Sequence, residues 1–305
     1  MTGKRYRIAI IGTGFVGLAT GAGLSELGNE VVCVDIDKDK IIGLNNGYVP
    51  IYEDGLSELI EKNRRLGRIF FTTDIGLAVR SSKIIFICVG TPSKEDGEVD
   101  LSQVISAAEG IGDFLDSYKI IAIKSTIPLG TLDVIEDILK RKGKAKGKDY
   151  DLAVIPEFLR EGRAVYDFFN PTRIIIGADK ESVDKILTEI FLPLGASIIH
   201  TTPVTAQIIK YASNAFLAAR ISFINEIADI CDHIGVNISD VIEGMKYDKR
   251  IGGEYLSPGI GFGGPCLIKD LSAFIKMAEK YGYKAKYLSS ILDKTIIKLN
   301  MSLIN

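Results

Sequence analysis

Read for hydrophobic and polar positions alone, the first two hundred residues alternate between short apolar runs and amphipathic stretches. The runs Arg5–Ile11, Val31–Val34, Ile69–Thr72, Ile84–Val89, Ile120–Ile123, Leu152–Ile155, Arg173–Gly177 and Ser197–His200 have strand length. Their near-continuous Ile and Val content is that of strands buried on both faces. Between them lie helical patterns: an Ala/Leu-rich stretch ending at Leu27, then Lys38–Asn46, Gly55–Arg65, Asp74–Ser81, Leu101–Leu115 and Glu181–Phe191. This alternation predicts an α/β fold, a Rossmann-type doubly wound parallel sheet. The pattern changes after residue 201. Thr205–Ile234 predicts one long apolar helix, followed by helices at Ile238–Met245, Leu267–Tyr281 and from Lys286 onward. We therefore expect two domains, 1–201 Rossmann-type and 202–305 all-α, the second organised on a long central helix.

Composition changes this picture little. The 305 residues are 47% hydrophobic and 25% charged with a formal net charge of −2, an ordinary globular balance. Such a balance does not point to nucleic acid or an anionic membrane as partner. The basic run Lys140–Lys148 reads as a solvated loop. No apolar run reaches the length of a membrane span. Cys33, Cys88, Cys231 and Cys266 form no C-x-x-C pair, and two histidines are too few for a zinc site, so no metal is expected. A reducing, cytoplasmic location is the simplest expectation.

Gly12-Thr-Gly-Phe-Val-Gly17 directly follows the first strand and opens the first helix. In that context it is a dinucleotide-binding fingerprint: Gly12 for the tight turn, Gly14 for approach of the pyrophosphate, Gly17 for helix–strand packing. Asp35, ending the second strand, suits a ribose hydroxyl and repels a 2′-phosphate, which favours NAD over NADP. Thr91 and Thr126 sit at strand carboxyl ends, where they serve either a ligand or a helix cap. Glu157 and Glu161 follow a strand as acid/base candidates or as a solvated turn. Lys210 and Asn214, one turn apart on the long helix, are either a polar site or an exposed pair. Cys266 directly follows the glycine-rich stretch Pro258–Pro265 at a helix start, with Asp270 one turn on. It is either a thiolate stabilised by the helix N-terminus or a structural cysteine in a turn.

Taken in order, Gly12-Thr-Gly-Phe-Val-Gly-Leu18, Ile87-Cys-Val-Gly-Thr-Pro92, Lys124-Ser-Thr-Ile-Pro-Leu-Gly-Thr131, Pro156-Glu-Phe-Leu-Arg-Glu-Gly162, Lys210-Tyr-Ala-Ser-Asn-Ala-Phe216 and Gly261-Phe-Gly-Gly-Pro-Cys266 with Lys269-Asp270 resemble the UDP-glucose/GDP-mannose dehydrogenase family. Arg250-Ile-Gly252 and Tyr255–Gly259 look more like its UDP-glucose branch. The resemblance implies a four-electron oxidation of the sugar C6 alcohol of UDP-glucose to UDP-glucuronate with two NAD, of the kind that feeds polysaccharide biosynthesis. It implies that Cys266 captures the aldehyde as a thiohemiacetal and then forms a thioester. Lys210 and Asn214 would stabilise the oxyanion, Asp270 would assist proton transfer, and Glu161 and Thr126 would complete the catalytic set. The same resemblance places Phe15, Val16, Asp35, Lys40, Thr91, Thr126, Glu161 and Lys269 at the cofactor. It places Glu157, Phe158, Leu159, Arg160, Glu161, Lys210, Asn214, Tyr255, Leu256, Ser257, Pro258, Gly259 and Gly263 at the sugar nucleotide. It also implies a homodimer through the central helices.

The chain departs from the family pattern at Ile155 (usually Asn), Pro265 (Ser), Ile268 (Pro), Gln207 (Glu) and Asp54 (Pro). It also stops before the second α/β domain that holds much of the nucleotide in the family. Two other readings therefore stand beside the dehydrogenase: a non-catalytic dimer that binds NAD, and a β-hydroxyacid-type dehydrogenase performing one oxidation.

Overall fold

The apolar runs become eight strands of one sheet in the computed structural model, which describes residues 4–264 and 266–302. Pro265 and the last residues of the chain lie outside the described residues. The strands are β1 (Arg7–Ile11), β2 (Glu30–Val34), β3 (Ile69–Thr72), β4 (Ile84–Ile87), β5 (Lys119–Ile123), β6 (Tyr150–Val154), β7 (Arg173–Ala178) and β8 (Ser197–Thr201). The helices between them are α1 (Phe15–Glu26), α2 (Lys38–Asn45), α3 (Leu56–Arg65), α4 (Ile75–Ser81), α5 (Ser102–Phe114), α6 (Thr131–Arg141), α7 (Ala164–Phe169) and α8 (Glu181–Phe191). Four more follow: α9 (Pro203–Ile234), α10 (Ile238–Lys246), α11 (Leu267–Lys280) and α12 (Lys286–Ser302).

Strand order is β3-β2-β1-β4-β5-β6-β7-β8, the doubly wound arrangement with its reversal between β1 and β4. The sheet is mostly rather than wholly parallel. β7 runs antiparallel to β6, joined through Ala153 with Ala178 and Val154 with Gly177, and β8 then pairs parallel to β7. Strand side chains alternate between two apolar layers. Ile8, Ile10, Ile84 and Phe86 enter one, while Ala9, Ile11, Ile85 and Ile87 enter the other. The central strands are thus covered on both faces, as their uninterrupted apolar runs require, whereas the edge strands β3 and β8 leave Phe70 and Ile199 exposed.

The chain divides into two compact units. The first holds the residues through Thr91 together with Asp100–Lys210. The second holds Pro92–Val99 and the residues from Tyr211 onward. α9 starts in the first unit, where Pro203 opens it and Thr202 Oγ1 accepts from the Thr205 amide at 3.2 Å. It continues into the second, whose core gathers Ala215, Ala218 and Ala219 with Phe262, Leu271, Ile275 and Ile291. Within that core Tyr211 stacks on Phe274 with ring centroids 5.7 Å apart. Among the described residues no helix is long and apolar enough to cross a membrane.

Candidate active site

β1 ends at Ile11, and the chain must turn at once to start α1. Gly12 does so at φ +98°, and a Cβ there would lie 2.8 Å from the Cys88 carbonyl oxygen. A Cβ at Gly17 would lie 2.0 Å from the Gly12 oxygen, so both positions exclude any larger residue. Gly14 differs. It is the N-cap of α1, is exposed, and has nothing within 4 Å of where a Cβ would stand. Its missing side chain leaves open space before a helix terminus that no side chain caps. Phe15 and Val16 beside it are half-buried.

Asp35 follows β2 and reaches across to this turn. Its Oδ2 accepts from the Thr13 amide at 3.0 Å, the Thr13 hydroxyl at 2.5 Å and Lys40 Nζ at 2.9 Å, and its Oδ1 accepts from the Asp37 amide at 3.1 Å. Burial favours the neutral acid, but these four bonds outweigh it and hold the carboxyl at about 2. Asp35 is therefore an anion at physiological pH, and Lys40 is its ion-pair partner. Ile36, next in the chain, is 92% exposed. An exposed apolar side chain beside this carboxylate has the surface to take the flat face of a base, and the sequence reading passes it over.

A second group gathers at the carboxyl ends of the central strands. Lys210 Nζ lies 2.9 Å from Glu157 Oε1, and both side chains are buried. Glu157 is thus neither a solvated residue nor part of a helical turn, and its Oε2 also accepts from the Leu159 amide at 2.6 Å. Lys124, buried at the end of β5, belongs to the same group. Burial pulls its ammonium below the ordinary value; Cys88 and Glu157 oppose that, and Lys210 adds to it. Burial pushes the Cys88 thiol up to about 12, which makes it an inert core thiol. The Phe158 ring lies under Arg173, 3.9 Å away, and 5.3 Å from Lys210 Nζ. Lys124 was legible only as a lysine closing an apolar strand, because nothing local tells a buried strand-end lysine from an exposed one.

The remaining predicted residues of this unit are more dispersed. Leu159 packs against the core, while Arg160 is exposed and grips Asp167 through Nη2 to Oδ1 at 2.6 Å and Nε to Oδ2 at 2.9 Å. Glu161 is exposed in the turn at Gly162. Thr91 is buried and Thr126 half-buried. Neither caps a helix, since α5 and α6 are preceded by Leu101 and Gly130.

In the second unit Cys266 is the N-cap residue of α11, and its carbonyl accepts from the Asp270 amide at 2.8 Å. The Asp270 carboxylate is 1% exposed. Asn214 Nδ2 donates to its Oδ2 at 2.6 Å, and Lys269 Nζ donates to its Oδ1. Asn214 is accordingly buried rather than solvated, and its amide is fixed by a charge-assisted bond. The preceding loop is pinned by α9. Arg220 donates to the Ile251 and Gly252 carbonyls at 2.8 and 3.2 Å, and Asn225 Oδ1 accepts from the Gly259 amide at 2.8 Å. Tyr255 is held at φ +59°, a strained conformation for tyrosine, while Leu256 is buried and Ser257, Gly259 and Gly263 are exposed. Pro258 is half-buried.

Comparison with known proteins places the fold in a family. Residues 6–195 match the NAD binding domain of the UDP-glucose/GDP-mannose dehydrogenase family, and residues 204–295 match its central domain. The UDP-glucose 6-dehydrogenase TuaD of Bacillus subtilis (strain 168) is 46% identical over 287 residues, which are 94% of this chain but 62% of that relative. A UDP-glucose dehydrogenase structure from the hyperthermophilic archaeon Pyrobaculum islandicum superposes with a TM-score of 0.93 at 35% identity, covering 97% of this chain and 69% of that one. A ternary complex of the GDP-mannose dehydrogenase of Pseudomonas aeruginosa gives a TM-score of 0.79, also at 35% identity, over 96% of this chain and 69% of that one. The chain thus spans a little under two thirds of the length of its curated relative TuaD. It belongs to the UDP-glucose/GDP-mannose dehydrogenase family.

Proposed function

We propose that the chain carries the catalytic portion of a nucleotide-sugar 6-dehydrogenase, oxidising the C6 alcohol of UDP-glucose to the carboxylate of UDP-glucuronate. The observation that carries this reading is the start of α11. There a cysteine at the helix N-cap is followed one turn on by a buried carboxylate held by Asn214 and Lys269. One alcohol oxidation has no use for a thiol, whereas a thiol eases the passage from aldehyde to acid by splitting it into two steps.

The residues around the glycine turn fit NAD. Gly14 leaves open space where a pyrophosphate would approach, and Asp35 Oδ1 has acceptor capacity for a ribose hydroxyl. NAD, when bound, would accept the hydride of each oxidation. Cys266 Sγ then adds to the aldehyde carbon to give a thiohemiacetal, and the thioester formed by its oxidation is opened by water, which returns the thiol. Asn214 and Lys210 donate to the oxygen that gains charge in these steps. Asp270 moves the proton, and Glu161 with Thr126 positions water and substrate. Glu157, Phe158, Leu159 and Arg160, with Tyr255–Gly259 and Gly263, are assigned to the sugar nucleotide.

The chain is also proposed to act as a homodimer in the cytoplasm. Phe216, Phe223 and Ile230 repeat every seven residues along α9 and are 63%, 50% and 48% exposed, an apolar stripe suited to a second copy. Cys33, Cys88 and Cys231 are buried and form no disulfide, which a reducing compartment accommodates.

The test is to count NADH formed per UDP-glucose consumed. Two per sugar, with Cys266→Ala failing to complete the second oxidation, is the expected result. One per sugar with Cys266→Ala unaffected indicates a single-step dehydrogenase. No NADH at any substrate concentration, with NAD still bound, indicates a non-catalytic protein.

A further inference from the structure

The amino-terminal ends of β1, β4 and β5 lie side by side, fixed by the Lys83 amide donating to the Arg7 carbonyl at 2.9 Å and the Ile120 amide donating to the Lys83 carbonyl at 3.0 Å. They border a cavity of about 390 Å³ at the edge of the sheet opposite the glycine turn. Lys4, Arg5, Arg7, Arg80, Lys83 and Lys119 line it, and among the described residues no carboxylate does. Several like charges around one concavity focus a positive potential that water and salt only partly screen.

Two further observations separate this cavity from a chance meeting of surface lysines. Lys119 is buried, with 4% of its side chain exposed. Its ammonium donates to the Arg80 carbonyl at 3.2 Å, while the nearest carboxylate, exposed Asp116, stands 3.7 Å away. Burial pulls that ammonium below its ordinary value against the pull of Asp116, so a closer anion would relieve a real desolvation cost. Ser82, 2% exposed, also lines the cavity, and its Oγ is buried with no hydrogen-bond partner among the described residues. A buried hydroxyl without a partner is costly unless something completes it. Arg80 stacks on Phe114, 5.0 Å from the ring centre, which holds its guanidinium in one orientation.

We propose that this cavity binds a small anion bearing more than one phosphate group, with Arg80, Lys83 and Lys119 on its charges and the Ser82 hydroxyl donating to a phosphate oxygen. Arg7 is already held by Glu30 at 3.0 Å and Lys119 faces Asp116, so the ligand's charges fall mainly to the other cations of the rim, and an oligophosphate spans more of them than a single phosphate does. The source is either free oligophosphate or the phosphate tail of a nucleotide, and the assignment is independent of the oxidation proposed above.

The experiment is calorimetric titration of the full chain with sodium tripolyphosphate at constant ionic strength, in the presence of saturating NAD. Saturable binding is expected. It should weaken at least about tenfold in Arg5→Ala/Arg80→Ala/Lys83→Ala and several-fold in Ser82→Ala, since bonds to charged groups are the stronger ones. Removing the same charge elsewhere, in Lys140→Ala/Arg141→Ala/Lys148→Ala, should change it less than about twofold. Counting only the binding that is lost in Arg5→Ala/Arg80→Ala/Lys83→Ala, so that the proposed sugar-nucleotide site does not contribute, uridine triphosphate binding no tighter than tripolyphosphate identifies free oligophosphate, and tighter binding identifies a nucleotide. Equal losses in the two triple variants, or no saturable binding, overturn the site. Ser82→Ala removes only a hydroxyl, so an unchanged thermal midpoint in that variant keeps loss of binding distinct from loss of fold.

Discussion

Lys210 Nζ and Glu157 Oε1 meet at 2.9 Å although 53 residues separate them, and both side chains are less than a tenth exposed. The pair joins the first turns of α9 to the segment after β6, with Lys124 as a further cation beside it. Removing one partner strands the other charge in a dry site. Glu157→Gln should therefore cost about 3–5 kcal/mol, and Glu157→Gln/Lys210→Met should recover most of that loss. Urea unfolding of the four members of the cycle measures it, and additive single effects would rule out the coupling.

Asp35 supplies a pH signature. Its carboxyl is held near 2 against an ordinary 3.8, so its bonds to Thr13, Lys40 and Asp37 add stability fully above the unfolded value. That stability is lost as pH falls through the folded value. Asp35→Asn should thus be less stable than the parent at pH 6, with the difference closing between about pH 4 and pH 2. A difference that stays constant over this range contradicts the assignment.

The same residue is the one proposed to set cofactor choice. Asp35→Ser removes the charge that faces a 2′-phosphate and should shift the ratio of NADP to NAD affinity upward by about tenfold. Fluorescence titration of the two reduced cofactors decides this, and an unchanged ratio refutes it.

Gly14 and Gly17 should respond oppositely to alanine. At Gly14 the new methyl meets nothing within 4 Å, so the fold and its Tm should survive while NAD binding falls. At Gly17 it would enter the Gly12 carbonyl, so the turn must move and Tm should drop by several degrees. Thermal unfolding with and without NAD separates the two, and equal Tm values would speak against the close approach.

Asp270→Asn keeps the shape but removes the charge gripped by Asn214 and Lys269. Turnover should fall by about 10²–10⁴ if the group moves a proton, with KM changing far less. A parallel loss of about 1.5–3 kcal/mol of stability is expected from the charge-assisted bonds. Intact turnover in a folded variant removes Asp270 from the chemistry.

Much of the architecture could be read directly. The apolar runs at Ile8–Ile11 and Ile84–Ile87 are strands because only a sheet covered on both faces buries every residue of such a run. Gly12 and Gly17 announce the turn because sterics at those two points are local to it. The same local reach explains why Cys266 could be placed at a helix start, where the structure makes it the N-cap of α11.

What the chain could not show by itself were relations between distant residues. Glu157 and Glu161 look alike in sequence, yet one is buried against Lys210 and the other is exposed. Lys40 stands on Asp35, Lys269 on Asp270, and β7 lies antiparallel to β6. The bond from Asn214, on another helix, to the carboxylate one turn beyond Cys266 was likewise out of reach of the sequence. Periodicity and glycine spacing report forces acting within a few residues, and so the sequence alone determined the strands, the helices and the dinucleotide turn. Burial and pairing of charges depend on which segments the fold packs together, and the tertiary structure alone decided those.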